Sequence, residues 1–404
     1  MALRNFYSFL ILYFTFTNVN AQIVYPFGKS NLSDTSSNWL STLGDRMTNA
    51  EIVGLGEVSH GDQESNLLKC RLVKYLVQEK GFKDIFIEYG DPALRKLNAF
   101  ISDSAIKDTS ALEALFDQTF INGGYHPPLY NNHFKELIKW LKTYNLENPA
   151  KMVSLRGIDI NLGWNIFWNG WMNEGTKMRV RAEFGKKDLN LKETDAIIST
   201  WFKREEKTLR DSLGADQFSN LKMDVKNFLS NIRYLQNGDS RNAAMIDMRD
   251  SMMNENIKML IKNKAIIWAH NLHVSNSGFS PSKQFNSKML GNRLRESHAN
   301  KYFIILTDYS EKANVNILSK ANSFGTKSFA SNNKTLAYEL ARKNRLEEGL
   351  VFSKDFSNAD AVKFNNIGLL GDYFLIATTN VAYDALFYFK VLTPLNLYKN
   401  TRDN

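Results

Sequence analysis

With one cysteine in 404 residues, the chain has no possible intramolecular disulfide. A chain of this length does not need one, because its core is large enough to hold the fold. Cys70 falls within a predicted helix and reads as a buried structural thiol rather than a nucleophile. Past the N-terminus no stretch approaches the roughly 18 unbroken apolar residues of a spanning helix, so no membrane span is expected in the mature chain. The net charge is +9, yet no run of five or more basic residues occurs, and the excess reads as solvated surface rather than a nucleic-acid footprint. Also missing are a Gly-x-Ser-x-Gly elbow, a Walker loop, an H-E-x-x-H pair and a cysteine cluster. Their absence argues against an elbow-type acyl-enzyme serine, a P-loop and a zincin. The 43% hydrophobic and 23% charged content is ordinary for a globular protein.

The first 21 residues read as a secretory signal peptide: Arg4, an apolar stretch from Phe6 to Phe16, then Val19-Asn20-Ala21. Cleavage is expected before Gln22. That leaves a mature chain of 22–404 with a net charge of +8 once Arg4 is removed from +9. The expected location is periplasmic or secreted.

The remainder alternates strand and helix. IVGLG, residues 52–56, reads as a strand, and Asp62 can cap the helix that follows. That helix carries Leu68, Leu72, Val73, Leu76 and Val77 on a 3.6-residue stripe and stops at Gly81. IFIE, residues 85–88, completes a strand–helix–strand unit of a parallel sheet. A helix from Phe134 to Tyr144 leads to a strand over 151–158 that ends at Asp159. Further strands are predicted at 265–269, 302–306 and 373–377, with a late one at 385–391 placed antiparallel at an edge. The expected class is α/β, a mainly parallel sheet flanked by helices. A helical insertion of about 162–262 would form a cap. It holds Trp164, Trp168, Trp171 and Trp201, and a stripe of Met245, Met248, Met252, Met253 and Met259. These read first as helical core and second as the lining of an apolar ligand pocket. The Asn/Ser/Lys-rich stretch 322–334 reads as a surface loop.

Two short segments carry the chemistry. LGEVSHG holds Glu57 and His60, and WAHNLHV, about 210 residues later, holds His270 and His273. Each follows a predicted buried strand, and an α/β protein places proton transfer at such strand ends. A single histidine there is commonly just a hydrogen-bonded loop residue; two clusters, one with its own carboxylate, favour a site. Gly54-x-Gly56-x-x-Ser59 lacks the third glycine of a dinucleotide fingerprint and reads as a tight turn. His60 at a helix start, oriented by Glu57, suits a general base acting on water. His270 and His273 would hold the substrate oxygen, protonate the leaving group or bind a metal. Glu57, His60, His270 and His273 together also make a conceivable zinc set, although no cofactor is the first expectation. Glu88 and Asp159 end strands and are candidates for the cleft wall.

These residues resemble the erythromycin esterase family, including its succinoglycan-biosynthesis-type relatives. LGEVSHG is similar to that family's Gly-Glu-x-x-His-Gly, and ESNLLKCRLVKYLVQEKGF followed by IFIE continues the match. WLKTYN, RGIDI, MRDSMMNEN, WAHNLHV, MLGNRLRE and YDALFYFKVLTPL follow in order, so the likeness runs from about Val53 to Leu395. The resemblance implies a hydrolase that opens a macrolide lactone or another carboxylic ester with activated water. His60 would be the base and Glu57 its partner, with His270 and His273 in the cleft and Glu88 in its wall. Where many members carry an arginine after the histidine, this chain has Lys69, with Arg71 two residues on; both are candidate substrate contacts. The expected partner is a small ester or lactone. The alternatives are a metal-dependent hydrolase using the same residues and a non-catalytic protein that keeps the cleft for ligand binding.

Overall fold

The computed structural model describes residues 24–32, 38–120, 128–160, 191–236, 243–277, 288–318, 324–356, 361–379 and 382–398. The expected signal peptide and Trp164, Trp168 and Trp171 lie outside these residues.

Short, wholly apolar segments form the centre of the sheet. β2 (Ile52–Leu55) and β5 (Ala265–Trp268) are buried at every position. They pair in parallel, Leu55 opposite Trp268. β3 (Asp84–Gly90) lies on the other side of β5, with Ile87 also opposite Trp268. β4 (Ser154–Asp159) follows β3, and β6 (Tyr302–Leu318) lies beside β2. β11 (Ala385–Leu392) runs parallel to β6. β8 (Gly349–Phe352) and the two-residue β1 (Tyr25–Pro26) close that side in antiparallel fashion. The order is β1-β8-β11-β6-β2-β5-β3-β4. Strands with helices on both faces need apolar side chains pointing both ways, hence continuous rather than alternating runs. Val53 and Leu55 enter one core and Ile52 the other.

The first core is covered by α1 (Asn38–Arg46), α2 (Gln63–Lys80), α3 (Asp91–Ser102), α4 (Leu112–Phe120) and α5 (Asn132–Glu147). Asp62 caps α2 by accepting from the Ser65 amide at 2.7 Å, and Gly81 ends it at φ 72°. The second core meets α7 (Ala243–Leu260), the helix at Leu290–His298 and that at Leu336–Asn344.

The described part of the insertion is helical. α6 (Leu191–Gln236) breaks at Gly214, whose φ of 74° favours glycine. The break folds α6 back on itself: Ile198 and Trp201 pack against Leu221, Val225 and Phe228, and Arg233 pairs with Asp195 at 2.7 Å. Trp201 is thus core, as the first reading of the aromatics had it. The methionine stripe is not one buried face, since Met253 is buried and Met259 exposed.

Two placements differ from the sequence reading. The late strand is β11, inside the sheet between β6 and β8 rather than at an edge. Its run ALFYF is apolar on both faces and needs cover on both. The stretch read as a surface loop contains β7 (Phe324–Ala330), which pairs antiparallel with the outer half of β6. Its polar composition reflects an exposed strand rather than a loop. A separate hairpin of β9 (Ala361–Ile367) and β10 (Tyr373–Thr379) reaches the mouth of the sheet. There Ile367 bridges Ser59, and its amide donates to Val58 O at 2.9 Å.

Candidate active site

The strand order brings the carboxyl ends of β2, β5, β3 and β4 side by side, although β5 lies some 200 residues from β2 in the chain. Ligand sites of open α/β sheets lie at such ends. The turn after β2 carries Glu57 and His60. Gly61 is required there, because a Cβ would sit 2.0 Å from Asn316 O.

Glu57 is buried between two partners. Its Oε1 accepts from His60 Nδ1 at 2.7 Å, and its Oε2 from Lys69 Nζ, also at 2.7 Å. Burial alone would raise its pKa, but Lys69 and then His60 outweigh burial and hold the carboxyl at about 2. Lys69 is 1% exposed. Its remaining reach goes to Ala269 O at 2.9 Å, with Trp268 beneath it at 5.0 Å from the ring centroid. Burial pulls Lys69 below the ordinary lysine value and Glu57 works against that. Lys69 therefore positions Glu57. His60 keeps an 18% exposed side chain.

His270 ends the β5 segment, its ring centroid 4.8 Å from that of His60. Its backbone amide donates to Glu88 Oε2 at 2.9 Å, and its Nε2 lies 3.3 Å from Ile367 O. Burial, and then neighbouring His60, depress its pKa to about 3, so the ring is neutral.

His273 has the opposite character. Nδ1 is 2.9 Å from Asp250 Oδ1 and Nε2 is 3.2 Å from Glu88 Oε1. Burial opposes the charge, but Asp250 and then Glu88 raise the ring to about 10, making it an imidazolium. Arg249 Nη1 also approaches Nε2 at 3.2 Å. Two donors there face the shared Glu88 oxygen, which Arg249 Nη2 reaches at 2.7 Å. Arg249 also grips Asp159 with Nε at 2.8 Å and Nη2 at 2.9 Å. Burial works against ionising Glu88, but His273 and Arg249 hold it well below the usual carboxylate range.

The structure thus gathers Glu57, His60, Lys69, Glu88, Asp159, His270 and His273 into one network. It does not bring Arg71 there. Two residues on a helix are about 200° apart, so Lys69 and Arg71 point to different sides of α2. Arg71 donates to Asn31 O at 2.6 Å, stacks on Trp39, and lines a separate cavity of about 810 Å³. Lys69, Glu88 and Asp159, candidates for substrate contact, are instead committed to buried ion pairs. Sequence reasoning assigned no role to Arg249 or Asp250. The available signal was an adjacent opposite-charge pair in a methionine-rich helix, within the motif MRDSMMNEN. The four-residue zinc set does not converge. Glu57 and His273 are occupied by the partners named, and among the described residues no three His, Cys, Asp or Glu side chains surround one ion position. Cys70 is buried, with its thiol pushed up to about 12.

The family model for erythromycin esterase matches residues 171–331. Among solved structures, a Bacillus cereus protein aligns with a TM-score of 0.71 at 21% identity, over 94% of this chain and 97% of its own. A succinoglycan biosynthesis protein gives 0.69 at 20% identity, with the same coverage of 94% and 97%. The open conformation of a histidine-to-asparagine mutant of erythromycin esterase EreC gives 0.66 at 16% identity, over 93% of this chain and all of its own. These likenesses show a shared α/β fold, and the matched segment, which contains WAHNLHV, is similar to the erythromycin esterase family model.

Proposed function

We propose that this protein hydrolyses a carboxylic ester, with macrolide lactones as the first class to test, using water activated by His60. The observation that carries the reading is the Lys69–Glu57–His60 chain. A buried lysine keeps Glu57 ionised, and the ionised carboxylate can only accept, so His60 Nδ1 bears the proton. The lone pair of the neutral ring is then on Nε2, the arrangement a general base needs. His60 takes a proton from water as the oxygen attacks the carbonyl carbon, then returns it to the departing alkoxide. The His273 imidazolium, bound on both nitrogens, fixes Glu88 and hence the His270 backbone. The likeness to the erythromycin esterase family supports hydrolysis more directly than it supports any one substrate. We further propose export, with removal of residues 1–21.

The test is a panel of macrolides and simple esters followed by mass, comparing the wild type with His60→Ala. A gain of one water with the wild type alone is the expected result. No turnover across the panel would favour a non-catalytic ligand-binding role.

A further inference from the structure

We propose that His270 is a hydrogen-bond acceptor that orients the attacking water, held by the β9–β10 hairpin in the tautomer that leaves Nδ1 unprotonated. The inference rests on the hydrolytic reading above and adds to it the role of the second histidine.

The argument starts from what each partner can do. A carbonyl oxygen only accepts, so the 3.3 Å contact with Ile367 O requires the proton on His270 Nε2. The carbonyl is well placed to impose this. Ile367 is fully buried, its amide is bound to Val58 O at 2.9 Å, and it bridges Ser59 beside His60. The histidine backbone is fixed as well. Its own amide is tied to Glu88 at 2.9 Å, and the next amide, Asn271, to Glu57 O at 2.8 Å. Burial resists a second proton on this ring, and His60 and then His273 act in the same direction. Neutral His270 therefore has one N–H, used on Ile367, and one lone pair, on Nδ1.

His60 is the mirror case, with Nδ1–H given to Glu57 and the lone pair on Nε2. The ring centroids are 4.8 Å apart, and in the proposed arrangement one water spans the two acceptors. A water between them donates one hydrogen to each, which turns an oxygen lone pair toward the substrate. On attack, oxygen bonds to the carbonyl carbon and the proton facing His60 transfers to its Nε2. The second hydrogen stays on oxygen, still donated to His270. On collapse the carbon–alkoxide bond breaks and the His60 proton leaves with the alcohol. In this arrangement His270 supplies no N–H to the oxyanion, which must be met by other donors.

The test is imidazole ¹⁵N spectroscopy of the intact protein labelled on histidine, at neutral pH, with resonances assigned by His270→Ala. Expected are an Nε2–H neutral ring for His270 and an unprotonated Nδ1. A proton on Nδ1, or a doubly protonated ring, would overturn the proposal. In kinetics, His270→Ala should lower kcat on the order of 100-fold with KM little changed. A raised KM at unchanged kcat would show a substrate-binding role and overturn it too. The doubly protonated His273 signal reports that the variant keeps its network. If that variant does not fold, assignment by the wild-type ring's hydrogen bond to the Ile367 carbonyl decides the tautomer. Failure of all ester turnover would remove the hydrolytic reading while the spectra still decide the tautomer.

Discussion

His60 and His270 stand 4.8 Å apart, ring to ring, although 210 positions separate them in the chain. The pairing of β2 with β5 sets this proximity: Leu55 opposite Trp268 puts the two following turns in contact. Glu88, arriving on the next strand, then binds the His270 amide, and Glu57 binds the His60 ring. Backbone register alone, without any disulfide, holds this histidine pair together.

His60→Ala or His60→Asn should leave the fold intact and remove most hydrolysis, a loss of about 100- to 10,000-fold, typical when a general base is deleted. Initial rates and circular dichroism on the same preparations check it. Near-normal rates in a folded variant would rule His60 out as the base.

Lys69→Met should destabilise the protein by about 3–5 kcal/mol, because it strands a buried carboxylate. Adding Glu57→Gln should recover part of that loss. Denaturant titration of both singles and the double measures the coupling. Additive losses would show that the 2.7 Å contact is not an energetic pair.

Asp62 gives a stability prediction against pH. Its Oδ1 caps α2, while Oδ2 is buried without a hydrogen-bond partner. Burial, and then Glu64, push its pKa from 3.8 to about 8. A raised folded pKa favours the protonated acid in the native state. Its contribution is full below about pH 4, is lost progressively as pH rises toward 8, and is constant beyond. Asp62→Asn keeps the cap acceptor and cannot ionise. Its stability relative to wild type should therefore improve across that window and then level off. Glu57 runs the other way: held at about 2, it contributes above its unfolded value near 4.5 and loses that contribution as pH falls toward 2. Denaturation midpoints measured across pH for wild type and Asp62→Asn decide the point; a constant offset between them would contradict it.

Hydrolysis should proceed without a covalent acyl-enzyme, and Cys70→Ala should stay active, since the thiol is buried and held protonated. Quenched-enzyme mass spectrometry should find no substrate-derived adduct, and product release should show no burst. An acyl group on any serine or on Cys70 would replace the water mechanism.

Export is expected with cleavage between Ala21 and Gln22, from the Arg4, apolar-run and Val19-Asn20-Ala21 pattern. N-terminal sequencing of protein recovered from the native envelope reads this directly. An uncleaved chain retained in the cytoplasm would defeat it.

Much of this architecture was legible because local patterns carried it. IVGL, IFIE and AIIW are buried on both faces and read as parallel strands; the Asp62 cap and the Gly81 stop bracket α2 as their side chains and backbone require. Glu57, His60, His270 and His273 stood out because two histidine clusters, one with its own carboxylate, each follow a predicted buried strand. Other features depended on neighbours that composition does not show. β7 looked like a loop because its partner is the exposed half of β6, and β11 looked like an edge because nothing local reveals the strands on either side.

The sequence by itself determined the strand–helix alternation, the helix ends and the residue types available for proton transfer, all of which depend on contacts within a few residues. Tertiary structure alone decided what each of those residues is. The packing of α2 against the turn after β2 placed Lys69 on Glu57; α7 delivered Arg249 and Asp250 to Glu88 and His273. Protonation followed from that placement. His270 sits against a carbonyl and a second imidazole and is neutral, whereas His273, three residues on, lies between two carboxylates and is charged. The same side chain takes opposite states because charge in a buried site depends on what lies within a few ångströms, and only the fold sets those neighbours.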